Sequence, residues 1–192
     1  ATGGKFANGA ASAAFAWVVQ AVGTGKREQE NVLRDSKKTN GQKPDRAGAE
    51  KAVNNLYEEG VLSTDQTFDT RDDAAKHFAE NLYGISKKNE IELGAELIKT
   101  DNKWSIGEIQ YGDIDAQGRH YIILTGKYVI HTHPSGQSIP STSDRRLIRS
   151  WDPEQLYKST LGMYTVGGPR DMTYCGASCS AGLKPQGKTI EW

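Results

Sequence analysis

The most constraining stretch of this chain runs from Tyr128 to Asp144 and holds His131, His133, Ser141 and Asp144. The β-branched pair Val129 and Ile130 favours a strand. Side chains alternate along a strand, so His131 and His133 project from one face. Pro134, Gly136 and Pro140 then impose a loop. Behind that loop Ser141 and Asp144 open a helix-like segment. Two imidazoles on one face, near a carboxylate, supply three sides of a tetrahedral zinc site, and a catalytic zinc keeps its fourth position for water. The remaining histidines, His77 and His120, are not needed for this. The alternative is a histidine pair at a strand end making ordinary hydrogen bonds.

His-x-His, seven residues, then Ser-x-x-Asp resembles the metal signature of the JAB/MPN (JAMM) metalloproteases, and it is complete between His131 and Asp144. The resemblance implies that His131, His133 and Asp144 bind Zn2+ and that Ser141 steadies the tetrahedral intermediate. It also implies a glutamate on an earlier strand that takes a proton from the attacking water. Glu92 is the first choice for this base, because Glu92-Leu93-Gly94-Ala95 resembles the family's base followed by small residues. Glu96 lies one repeat along the same face, and Glu108 lies on the next strand; both are alternative bases. Glu96 also interrupts the aliphatic run that the family places after its base.

The remaining elements follow from periodicity. Ala49, Ala52, Val53, Leu56 and Tyr57 recur at helical spacing over 47–59, and Gly60 suits the end. A second helix starts near Thr70, with Asp72 and Asp73 suited to its N-terminus and Gly84 closing it. His77 beside its apolar stripe reads as a half-buried helix histidine rather than a ligand. From Glu90 to Ile98 the chain alternates: Ile91, Leu93, Ala95 and Leu97 point one way, and Glu90, Glu92, Gly94 and Glu96 point outward. Asp101 and Asn102 turn the chain into a returning strand, Lys103 to Tyr111. Tyr121 to Leu124 and the His131 strand follow. A helix opens at Asp144, buries Leu147, Ile148 and Trp151, and ends at Pro153; Arg145, Arg146 and Arg149 lie on its exposed side. Ser159 to Val166 and Met172 to Cys175 read as a late hairpin turned by Gly167, Gly168 and Pro169. Thr189 to Trp192 suits a last edge strand. Helices against a mixed sheet give an α/β (α+β) class, an order compatible with the MPN/JAB-like fold that the resemblance implies.

The N-terminal part reads differently. Residues 3–10, Gly-Gly-Lys-Phe-Ala-Asn-Gly-Ala, followed by a short apolar helix at 11–20, resemble the junction after the core of Rhs-type polymorphic toxins. That resemblance implies that the chain is the C-terminal toxin tip of a larger secreted Rhs protein, delivered into a target cell's cytoplasm and matched by a cognate immunity protein. Residues 23–46 are polar, with mixed charges and no apolar period, and read as a tether. The expected division is therefore a junction and linker at 1–46, dispensable for activity, and a catalytic domain at 47–192.

Charge narrows the function classes. Lys and Arg number 24, as do Asp and Glu, which argues against a nucleic-acid partner. No run has the length of a membrane span, and no basic leader with a cleavage pattern is visible. Cys175 and Cys179 are too few for a disulfide scaffold and read as buried or idle thiols. The leading reading is a zinc metallopeptidase or isopeptidase toxin acting on a protein or peptide. The alternatives are another zinc hydrolase on the same fold, an amidase or a nuclease, and a non-enzymatic MPN-like binding domain. A deaminase is excluded, because its His-x-Glu and Pro-Cys-x-x-Cys pieces are both missing.

Overall fold

The structure is a computed structural model that describes residues 32–38, 43–116, 118–149, 160–176, 179 and 187–192. The expected N-terminal helix at 11–20, the Rhs-like junction and the helix end at Pro153 lie outside the described residues. Strand β1 is Val32–Lys38. Helices α1 (Arg46–Glu58) and α2 (Arg71–Lys88) follow, then β2 (Leu93–Thr100), β3 (Lys103–Ile106), β4 (Gln110–Tyr111), β5 (Asp113–Ile114), β6 (Arg119–Ile123) and β7 (Tyr128–Thr132). Helix α3 (Thr142–Arg149) precedes β8 (Gly162–Gly168), β9 (Asp171–Gly176) and β10 (Lys188–Thr189). The class is α/β in the α+β sense: a mixed, mostly antiparallel sheet with three helices among the described residues.

The main sheet has the order β10-β9-β8-β7-β2-β3, with β4 also pairing β2. All its pairs are antiparallel except β7 with β8. A smaller sheet, β1-β6-β5, is separate. Alternation divides the main sheet's residues between two apolar clusters. Leu93, Ala95, Leu97, Ile130, Tyr164, Val166 and Met172 pack with Ala74, Ala75, Phe78 and Leu82 of α2. The alternate residues Val129, Met163 and Cys175 pack with Ile122, Leu124, Cys179 and Ile148 of α3. The sheet is thus covered on both faces.

The helices start where their caps dictate. Asp45 accepts from Gly48 N at 2.9 Å to begin α1, and Thr70 accepts from Asp73 N at 3.1 Å to begin α2. Gly84 does not close α2, which runs on to Lys88. The extra turn delivers Ser86, whose Oγ bonds Ile91 O at 2.7 Å and Thr132 Oγ1 at 2.6 Å. Thr132 Oγ1 in turn accepts from Leu93 N at 2.9 Å. This buried network ties α2 to the last residue of β7.

Three further expectations are corrected. Part of the expected tether, Val32–Lys38, is a strand that pairs antiparallel with β6; sheet pairing there overrides a polar, weakly patterned sequence. The strand expected from Lys103 to Tyr111 breaks into β3 and β4 at Gly107–Ile109, with both pieces still on β2. Cys175 and Cys179 form a disulfide across a Cα–Cα distance of 5.3 Å. Their four-residue spacing permits this because Cys179 folds back into the same buried cluster as Cys175.

Candidate metal centre

His131 is the fourth residue of β7 and His133 follows the strand's end, so alternation sets both on the face covered by α3. His133 N continues the sheet by donating to Val166 O at 2.8 Å. The loop behind it returns the chain to Ser141, which caps α3. Ser141 and Asp144 satisfy each other: Asp144 N donates to Ser141 Oγ at 3.2 Å, and Ser141 N donates to Asp144 Oδ2 at 2.6 Å. This is a capping box, and it holds the Asp144 carboxylate back toward the helix N-terminus. The cap uses a lone pair of the Ser141 hydroxyl and leaves its proton to donate.

Three potential ligand atoms converge there. His131 Nε2 lies 3.0 Å from His133 Nε2, and Asp144 Oδ2 lies 3.5 Å and 3.6 Å from them. All three side chains are fully buried. A circle through a triangle of these edges has a radius of about 2 Å, the reach of zinc to nitrogen and oxygen ligands. The buried His131, His133 and Asp144 group can therefore hold a metal ion, and these donor atoms suit zinc.

The hydrogen bonds support that chemistry. His133 Nδ1 donates to the Gln137 carbonyl at 2.9 Å. A carbonyl only accepts, so Nδ1 carries the proton, and Nε2 of the neutral ring turns its lone pair to the site. Burial alone would raise the Asp144 carboxyl, but positive charge and hydrogen-bond donation from His131 and His133 would outweigh it and hold Asp144 well below the usual carboxylate range. With His133 neutral, a cation bound among the three atoms can supply that positive charge instead.

The loop that carries Gln137 lies directly on β8. A Cβ on Gly167 would fall 2.3 Å from Ser138 N and 2.5 Å from Gln137 C. In the sequence Gly167 reads only as a turn residue. The Gln137 contribution comes from its backbone, so no side-chain pattern announces it.

The candidate bases separate in space. Gly94 of β2 faces His131 of β7 in antiparallel register. Continued two residues back from Gly94 and two on from His131, that register sets Glu92 across from His133, on the same face. Glu92 is 0 % exposed, not outward-facing as expected; the residues covering this face, Ile122, Leu124 and Ile148, come from β6, the segment after it and α3. Glu96 is on the same face but faces Val129, and its Oε1 accepts from Lys127 N at 3.2 Å. Glu108 is exposed in the connection between β3 and β4, not on a strand. His77 Nε2 bonds Val61 O at 2.9 Å, and His120 Nε2 lies 3.7 Å from Glu90 Oε2; neither belongs to the triad. Arg145 packs beside the cap, Nε at 3.4 Å from Ser141 O. Among the described residues no helix is long and apolar enough to cross a membrane. Compared with protein-family models, curated proteins and solved structures, the chain matches none.

Proposed function

We propose that the chain is a zinc-dependent hydrolase of JAB/MPN type that cleaves an amide bond, as a metallopeptidase or isopeptidase. The observation that carries this is the convergence of His131 Nε2, His133 Nε2 and Asp144 Oδ2 within 3.0–3.6 Å of one another. Zinc held by these three residues would supply a Lewis acid that activates water and offsets negative charge on the carbonyl oxygen. The chain's own residues do the rest. Glu92 takes the proton of the attacking water and returns it to the departing amine. The Ser141 hydroxyl donates to the carbonyl oxygen as charge builds there. Gln137 keeps His133 in its ligating tautomer. The buried position of Glu92, on the face of the histidines, favours it over Glu96 and Glu108.

The proposal extends to the setting. The chain acts as the toxic tip of an Rhs-type effector, on a protein or peptide in the target cell's cytoplasm, and is neutralised by a cognate immunity protein. The residues of the N-terminal junction support this reading. The Cys175–Cys179 disulfide also fits a chain that passes through an oxidising compartment.

Toxicity on expression in a susceptible bacterium, with metal content measured in parallel, tests the roles. Glu92→Gln should abolish toxicity and keep zinc. Asp144→Ala should lose both. Ser141→Ala should keep zinc and lose about a hundredfold in rate. If Glu92→Gln, Glu96→Gln, Glu108→Gln and Asp144→Ala all stay toxic, the hydrolase reading is wrong.

A further inference from the structure

Thr165 stands in the middle of β8, with Cα paired to His131 of β7 in parallel register. Paired residues of neighbouring strands share a face, so Thr165 lies on the face of the metal triad. Its neighbour on that face along β8 is Met163, buried in the α3-side cluster; Gly167, two residues on, lies under the Gln137 loop. Thr165 is 0 % exposed, and among the described residues its Oγ1 has no hydrogen-bond partner. Two other buried threonines differ. Thr132 bonds Ser86 and Leu93, and Thr160 bonds the Lys127 and Gly162 carbonyls.

A buried hydroxyl with no partner destabilises a fold. Valine has the same shape, prefers strands and would fill this place without that cost. The chain nevertheless places a hydroxyl beside a metal-ligating histidine.

We propose that Thr165 is a positioning residue of the metal centre, its hydroxyl bonding a water that the site holds when the metal is bound. The inference rests on the metal reading above and adds to it a residue outside the family signature. A threonine hydroxyl both donates and accepts, so it can orient such a water without a charge of its own. Outer groups of this kind commonly change metal affinity ten- to a hundredfold.

The signature of this role is a pair of effects with opposite signs. In the purified full chain, Thr165→Val should raise the melting temperature of the metal-free protein, because the unpartnered hydroxyl is gone. The same variant should bind zinc about tenfold more weakly or worse in a chelator competition. Thr165→Ser, which restores the hydroxyl, should recover most of the affinity. If Thr165→Val does not fold, Thr165→Ala against Thr165→Ser gives the same comparison of affinity. Unchanged zinc affinity in the hydroxyl-free variant overturns the proposal. So does an affinity loss that the serine variant fails to recover, because the effect is then one of packing. A wild-type chain that binds no zinc overturns the metal reading itself, an outcome distinct from either.

Discussion

Gly167→Ala tests how His133 is held in the candidate metal centre. The added Cβ would lie 2.3 Å from Ser138 N, 2.5 Å from Gln137 C and 2.9 Å from Ser138 Cα. All three are backbone atoms, so no flexible side chain can swing aside. Gly167 does not have a positive φ, so the cost comes from contact rather than backbone strain. The loop must lift off β8, and the Gln137 carbonyl then leaves His133 Nδ1, which it holds at 2.9 Å. Overpacking of this kind costs about 1–3 kcal/mol, or roughly 2–12 °C in melting temperature for a chain of this size. Losing the bond that orients His133 should weaken zinc binding about ten- to a hundredfold. Thermal melts with and without zinc, together with a chelator competition, measure both. Gly84→Ala is the control: Gly84 sits inside α2, and among the described residues no atom outside its own helix backbone and chain neighbours lies within 4 Å of its Cβ position. Alanine there should stabilise by about 0.5–1 kcal/mol and leave zinc binding alone. Wild-type stability and zinc affinity in Gly167→Ala would refute the account of the loop.

Two further predictions concern the scaffold. The Arg71 guanidinium lies 4.2 Å, 4.4 Å, 5.4 Å and 5.6 Å from the rings of Tyr174, Tyr128, Tyr164 and Trp104. Its Nε also donates to Tyr164 Oη at 2.8 Å. Arg71→Met should therefore cost about 2 kcal/mol, read by urea denaturation, without changing zinc affinity, because this cluster packs away from the triad on the α2 side. A chain beginning at residue 31 keeps β1 and should fold and melt like the full chain. One beginning at Ala47 removes one of the two strand partners of β6 and the Asp45 cap, and should melt measurably lower; equal melting would restore the view of this segment as a tether.

The triad was legible because its geometry is local. Alternation set His131 and His133 on one face, and the Ser141-x-x-Asp144 spacing returned a carboxylate to them. Glu92 was the preferred base, but its burial was not foreseen. Alternation gives a second face without saying what covers it, and the cover arrives from Ile122, Leu124 and Ile148, far along the chain. β1 was missed for a related reason: its partner β6 is distant, and Val32–Lys38 carries little apolar pattern. Gly84 and Gly167 both read as punctuation in the sequence. One lies in a helix that continues because Ser86 has a buried partner, and the other serves close packing. The disulfide went unseen because a short Cys spacing does not reveal which way the chain turns after Cys175.

The central claim is that His131, His133 and Asp144 form a metal centre. The most direct measurement is elemental analysis of the chain purified in zinc-replete medium, beside His131→Ala and Asp144→Ala. The account predicts one zinc per wild-type chain, none in the variants, and a melting temperature that falls when the wild type is treated with a chelator. A wild-type chain without zinc, with His131→Ala unchanged in thermal stability, would contradict it.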